Sequence, residues 1–286
     1  MAVVIEVGPR DGLQNEARTI PTDVKVAYVD ALTAAGLLEI EVSAFVAHPR
    51  IPQLADAELV FQRVVRRPGM VAMALVPNVQ GLERALSVKV NAIAVFTAAS
   101  ETFNQKNINT TIDGSFERFV PVMARAKHEG LRTRGYVSTA FWCPYEGKIQ
   151  PARVVEVAKR LADLGCDEIS IGDTIGKASP DEVRAVLDEL LPVVPAARVA
   201  LHFHDTFGNA RANVLAGLAH GVVRYDASAG GIGGCPYATG ARGNIATEVL
   251  IRTLRGAGVD MPYDLKGIDE ARAILAPYVG HPLNAA

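Results

Sequence analysis

The chain has 286 residues, 49% of them apolar, enough for one large core or two small ones. Its formal charge of −2 offers no field suited to nucleic acid, and no apolar run approaches the ~18 residues of a membrane span. Three cysteines, Cys143, Cys166 and Cys235, do not make a disulfide framework and suit a reducing compartment.

The first residues, "MAVVIEVGPRDG", run straight into an apolar stretch without a basic leader or cleavage site. Further β-rich runs follow about every 30 residues: "LEIEVS", "MVAMALV", "NAIAVF", "TRGYVSTAF", "DEISIGD", "RVALHFHD" and "VVRYDASAG". A segment with helical spacing follows each. Pro151 opens one whose apolar face reads Val154, Val155, Leu161 and Leu164, with Gly165 as its stop. Ser179-Pro180-Asp181-Glu182 sets a capping serine, a first-turn proline and a capping-box glutamate at the start of another. Gly36, Gly130, Gly221 and Gly256 punctuate further helix ends.

Apolar strands alternating with amphipathic helices predict a parallel sheet covered by helices. Eight units fit a closed (β/α)8 TIM barrel, and no G-x-G-x-x-G follows the first strand to favour an open doubly wound sheet. The segment from about Met261 predicts an extra helix at the barrel edge. No linker or low-complexity tract divides residues 1–286, so one domain is expected.

Such barrels carry their chemistry at the C-terminal ends of the strands. Arg10 and Asp11 follow strand 1, Glu41 lies between Ile40 and Val42 on strand 2, and Asp173 and Thr174 end strand 6. His202 and His204 sit at i and i+2 on strand 7, which puts both imidazoles on one face. "GGIGGCPYATGARGN" follows strand 8. Singly, most have a plain reading. Arg10 and Asp11 could form an ordinary ion pair, Asp173 could cap a turn, and the glycines could be a flexible loop. Glu41 is costly to bury unless paired. Together, two neutral imidazoles with one or two oxygen ligands suit a hexacoordinate divalent cation, Mg2+ or Mn2+. A Cys-rich zinc site is not available. An open oxygen-rich site would leave positions for a substrate that chelates through a hydroxyl and a carboxylate.

The stretches "VGPRDGLQNE", "IEVSAF", "AASETFNQKNIN", "RGYVSTAFWCPYEGK", "GDTIG", "HFHDTFGNARAN" and "GGIGGCPYATGARGNIATE" resemble the hydroxymethylglutaryl-CoA lyase family from about Val4 to Gly258. The Arg-Asp and His-x-His pairs belong to a wider superfamily of metal-dependent barrel lyases, whereas the cysteine loop and "KNIN" are specific to the lyase branch. The resemblance implies retro-Claisen cleavage of 3-hydroxy-3-methylglutaryl-CoA to acetyl-CoA and acetoacetate, as in leucine degradation. It implies Asp11, His202, His204 and Asn244 as metal ligands and Glu41 as a supporting partner. Arg10 would stabilise the enolate oxygen and Cys235 would be the general acid/base on a mobile loop. Asp173, His202 and Cys235 are all candidates to take the hydroxyl proton. Cys143, in a second "CPY", is an alternative thiol, though four glycines precede Cys235 and only Gly147 lies near Cys143. Cys166 reads as packing.

Lys106, Asn107 and Asn109 read as contacts to the nucleotide or as solvated loop residues. Ala227-Ser228-Ala229-Gly230 departs from the run expected before the loop, a change that would relax selection at C3 and admit a longer branch. A homodimer is implied by the resemblance. Without a leader, peroxisomal signal or terminal cysteine, a cytoplasmic enzyme is expected. A Claisen-type synthase of the same superfamily, a metal hydrolase barrel and a catalytically dead scaffold are the competing readings. Metal-dependent release of acetoacetate separates the lyase from all three.

Overall fold

A computed structural model of the chain describes residues 1–46, 51–233, 243–280 and 282–283. Eight parallel strands close into a barrel in sequence order: β1 (Val3–Glu6), β2 (Glu39–Ala44), β3 (Val71–Leu75), β4 (Ala92–Ala98), β5 (Arg132–Ser138), β6 (Glu168–Asp173), β7 (Val199–Phe203) and β8 (Arg224–Ala227). β8 returns beside β1, from Val3 opposite Arg224 to Glu6 opposite Ala227. Each apolar run read as a strand is one. The barrel closes because every strand is apolar towards the helices, and closure leaves no edge unpaired.

Alternation sorts the side chains into two layers. On β3, Ala72 and Ala74 join the large layer between strands and helices, while Val71, Met73 and Leu75 point into the barrel. The interior is not uniform. Met73, Leu75, Ala92, Ala94 and Phe96 make its β3–β4 side apolar, whereas Arg134, Glu168, Ser170, His202 and Asp226 on β5 to β8 are polar and buried.

The helix Pro151–Asp163 buries Val154, Val157, Ala158 and Leu161, an i, i+3, i+4, i+7 stripe. The expected face was therefore rotated: Val155 and Leu164 are only half-buried, at its flank. The capping box of helix Pro180–Leu190 is formed as read, with Ser179 N–H donating to Glu182 Oε2 at 3.0 Å. At the end of helix Thr247–Gly256 the left-handed residue is Gly258, not Gly256. The expected tail helix is Leu265–Leu275; Ile268, Ala271 and Leu275 are buried, and it lies against helix Thr22–Ala34. No helix among the described residues is long and apolar enough to cross a membrane.

Candidate active site

The strand exits of β1, β5, β6 and β7 open into a cleft of about 930 Å3. Its polar wall starts with a π-helical turn, Gly8–Gly12, that follows β1. The turn is pressed against the segment after β8, and its two glycines are required for that. A Cβ on Gly8 would stand 3.0 Å from Ser228 Oγ as well as 2.5 Å from Glu6 Oε1, and one on Gly12 2.5 Å from Ile232 Cγ1. Thus "GPRDG" presents Arg10 and Asp11 from a backbone that has no freedom to retreat.

Arg10 is held by Glu41: its Nε donates to Glu41 Oε2 at 2.7 Å and its Nη2 lies 2.6 Å from the same oxygen. Its Nη1 donates to Asp11 Oδ1 at 2.9 Å. Burial opposes the guanidinium charge, but Glu41 and Asp11 outweigh it and keep Arg10 firmly protonated. Glu41 is the buried acid that needed a partner, and Arg10 and the Tyr136 hydroxyl, at 3.1 Å, supply it. Burial still leaves its pKa raised.

His202 and His204 share a face as their spacing required, with ring centroids 5.2 Å apart. With Asp11 they form a cluster in which one ligand atom from each lies within 4.8 Å of the others. Burial would raise the Asp11 pKa, but Arg10 and the two imidazoles bring it down to about 2, so Asp11 is an anion. Burial, reinforced by His202, lowers His204 to about 4, so it is neutral. His204 Nδ1 is buried without a hydrogen-bond partner among the described residues. Burial opposes a charge on His202, but Asp226 and Asp11 outweigh it and raise its pKa, so a bound cation would have to displace a proton there. A carboxylate, two imidazoles and an orphaned buried nitrogen on one of them are the donor set a divalent cation takes, and the residues present fit one. Asn244 bridges to His204 across a single β-bridge, and its Nδ2 donates to Asp11 Oδ2 at 2.8 Å and to Ile232 O at 3.0 Å. That orientation leaves the amide oxygen as the atom Asn244 can offer a cation.

Asp173 is set back from the cleft, although its charge is felt by His202. On β6 it stands in register with Phe203, which points outward, while Gly172 is in register with His202. Its carboxylate is fully buried and accepts the N–H groups of Lys177 at 3.1 Å and Ala178 at 3.0 Å. Burial raises its pKa to about 7 despite those bonds. Asp173 caps the turn after β6 and does not line the cleft. Ala227–Gly230, expected to affect the C3 branch, do not reach the cleft directly. All four are buried, none lines the cleft, and Ser228 Oγ faces Gly8 and Gly12. The glycines after it also have conformational work: Gly233 has φ 106°, and a Cβ there would meet Asn244 Nδ2 at 2.5 Å.

Among the thiols, Cys143 is buried beside Ser100 Oγ, at 3.1 Å, and accepts the Tyr145 N–H. It does not line the cleft. Cys166 is buried before β6, and burial pushes its thiol up to about 12. Cys235 and Gly234 lie outside the described residues. Lys106, Asn107 and Asn109 line the cleft, with Lys106 Nζ 4.9 Å above the Tyr145 ring.

Sequence reasoning missed the residues behind the triad. His202 Nδ1 lies 3.1 Å from Asp226 Oδ2, which also accepts from Ser170 Oγ at 3.0 Å, and Arg134 pairs with Asp226 Oδ1. Burial raises the Asp226 pKa, but Arg134 and His202 more than reverse it and keep it an anion. This contact orients the ring so that Nε2 faces Asp11. The signal was present in charged and polar residues at alternate positions of buried strands: Arg132, Arg134 and Tyr136 in one, Arg224 and Asp226 in the other.

The fold and site define a (β/α)8 barrel of the enzyme type, with a candidate cation centre at its C-terminal face. A family model described as HMGL-like matches residues 2–275, and the chain belongs to that family. It is 45% identical over 282 residues to the cytoplasmic 3-hydroxy-3-methylglutaryl-CoA lyase of Rattus norvegicus, covering 99% of this chain and 82% of the relative. Its identity to the 3-hydroxy-3-isohexenylglutaryl-CoA/hydroxy-methylglutaryl-CoA lyase of Pseudomonas aeruginosa is 44%, covering 97% and 92%. The crystal structure of hydroxymethylglutaryl-CoA lyase from Pseudomonas aeruginosa superposes with a TM-score of 0.96 at 44% identity, covering 100% of this chain and 95% of that one.

Proposed function

We propose that the chain is a carbon–carbon lyase that cleaves 3-hydroxy-3-methylglutaryl-CoA to acetyl-CoA and acetoacetate with the help of Mg2+ or Mn2+. The observation that carries this is Asp11, His202 and His204 converging beside an Arg10 clamped by Glu41, in the cleft of a chain so similar to lyases. Asp11, His202, His204 and the oxygen of Asn244 would hold the ion. When bound, the ion lowers the pKa of a coordinated hydroxyl and stabilises negative oxygen.

Cleavage removes the proton from the C3 hydroxyl and breaks the C2–C3 bond. C3 becomes the ketone of acetoacetate, and the electron pair passes to the acetyl-CoA enolate. Arg10, rigid and permanently charged, is suited to meet the enolate oxygen. Asp173 is tied to its turn, and His202 is committed at Nδ1 to Asp226 and would hold the ion with its other ring nitrogen. The resemblance to the lyases supports Cys235 as the acid/base: as a thiolate it would take the hydroxyl proton and return it to C2, which restores the thiolate at the end of the cycle. The lyase reading is tested by incubating the purified chain with substrate and Mn2+ and measuring acetoacetate. Release that stops with a chelator and returns with Mn2+ is expected; no release with metal present would overturn it.

A second reading, cleavage of homologues with a longer C3 branch, is favoured by the dual name of the Pseudomonas relative and by an apolar cleft wall of Ile51, Leu75, Pro77 and Phe96. Comparing kcat/KM for methyl and isohexenyl substrates decides it. We also propose a cytoplasmic homodimer. The two described cysteines are free thiols, which suits a reducing compartment, and light scattering tests the assembly.

A further inference from the structure

Behind the cleft, at the last position of β1, Glu6 is fully buried. Burying a carboxylate is unfavourable unless donors surround it. Glu6 collects three, from three segments far apart in sequence. Oε1 accepts the N–H of Gly8 at 2.9 Å and of Ala229 at 3.0 Å, and Oε2 accepts the Thr247 hydroxyl at 2.6 Å. Gly8 begins the turn that carries Arg10 and Asp11. Ala229 begins the turn from which the glycine run leads, in sequence, to Cys235. Thr247 begins the helix that follows Asn244.

The same three segments meet a second time at the cleft, where Asn244 donates to both Asp11 Oδ2 and Ile232 O. Between the two levels there is no slack. A Cβ on either Gly8 or Gly12 would meet Ser228 Oγ at 3.0 Å, and one on Gly233 would meet Gly12 Cα at 3.1 Å. A shift of any one segment at Glu6 is therefore passed to Asp11 and Asn244.

We propose that Glu6 is a positioning residue, whose single carboxylate sets the spacing of the segments bearing Arg10, Asp11 and Asn244. It acts through these segments and does not line the cleft. Its shape and acceptors matter more than its charge. A glutamine could offer its oxygen to Gly8 and Ala229 and its NH2 to the oxygen of the Thr247 hydroxyl, which both accepts and donates.

The inference rests on the lyase reading for its rate measurements, but Mn2+ affinity reads it without turnover. Wild type, Glu6→Gln and Glu6→Ala are compared as full chains, by Mn2+ titration and by kcat and KM well below the unfolding temperature. Glu6→Ala is expected to lose about 100-fold in kcat through misplaced groups, and about 10-fold or more in Mn2+ affinity through loss of outer support. Glu6→Gln should recover both to within a few-fold. A role confined to stability would lower the Tm of Glu6→Ala and leave kcat and Mn2+ affinity untouched, and that result would overturn the proposal. Should Glu6→Ala not fold, Thr247→Val against Thr247→Ser decides. A kcat about 5- to 10-fold lower in the valine variant alone is expected from one lost hydrogen bond, and equal rates in the two would overturn it. Should wild type show no turnover, the lyase reading fails, while the Mn2+ affinities still decide the role of Glu6.

Discussion

The barrel carries a charged cluster at each end, and the two differ in how their charges are answered. At the N-terminal end, Arg132 and Arg224 each pair with both Glu39 and Glu168, and Arg134 pairs with Glu168 and Asp226. Every carboxylate there faces a guanidinium, so the cluster is self-contained. At the C-terminal end, Asp11, His202 and His204 bring ligand atoms together with Arg10 as the only guanidinium paired to Asp11 among the described residues, and His204 Nδ1 has no hydrogen-bond partner among them. Buried charge that is fully paired holds a fold together, whereas converging acceptors left over are a place for something else to bind. Asp226 joins the two, answering Arg134 on one oxygen and His202 on the other.

This contrast predicts opposite consequences for substitutions at the two ends. Asp11→Ala and His204→Ala should abolish turnover and Mn2+ binding while leaving the protein folded; wild-type Mn2+ affinity in both would remove the cation centre. Cys235→Ser should keep Mn2+ and lose roughly 10²–10⁴ in kcat, the contribution of one positioned acid/base group. Cys143→Ser, altering a buried thiol beside Ser100, should lose far less. Alkylation mapped by peptide, with substrate protection at Cys235, checks the assignment. Arg10→Gln should retain Mn2+ and lose about 10²–10³ in kcat, as for removal of one donor to a developing oxyanion. A kcat within a few-fold of wild type would rule out that role.

Stability should respond elsewhere. Burial raises the Glu6 pKa from 4.5 to about 7, with the neighbouring Glu248 adding to the shift and Tyr28 lying against it. Because the folded state binds this proton more tightly, the wild type loses stability as pH rises from about 4.5 to about 7, and nothing further above that. Glu6→Gln does not titrate. Its Tm should match wild type at acid pH and exceed it above pH 7, by the equivalent of about 3 kcal/mol at most. A Tm difference constant across pH would show that Glu6 keeps an ordinary pKa. At the N-terminal end, Arg224→Gln should cost about 1–2 kcal/mol, since Arg132 still answers both carboxylates. Its kcat and Mn2+ affinity should not change, which differential scanning calorimetry and the same assays check.

Period-two and helical patterning determined the eight strand–helix units, because one face of each element must leave water wherever it packs. The spacing of His202 and His204 likewise determined a shared face, since two residues on a strand cannot diverge. The Gly8–Gly12 turn was legible as a place with Arg10 and Asp11, but its close approach to Ile232 joins residues more than 200 positions apart. Local pattern carries no such distance. Asp173 shows the same limit: in the sequence it is a polar strand end like His204, and only the register with Phe203 turns it outward. The pairing of Glu41 with Arg10 and of Asp226 with His202 was decided by the register of neighbouring strands, and that of Glu6 with three segments at once by barrel closure. Closure brings β1 beside β8, and it is this contact that completes the candidate site.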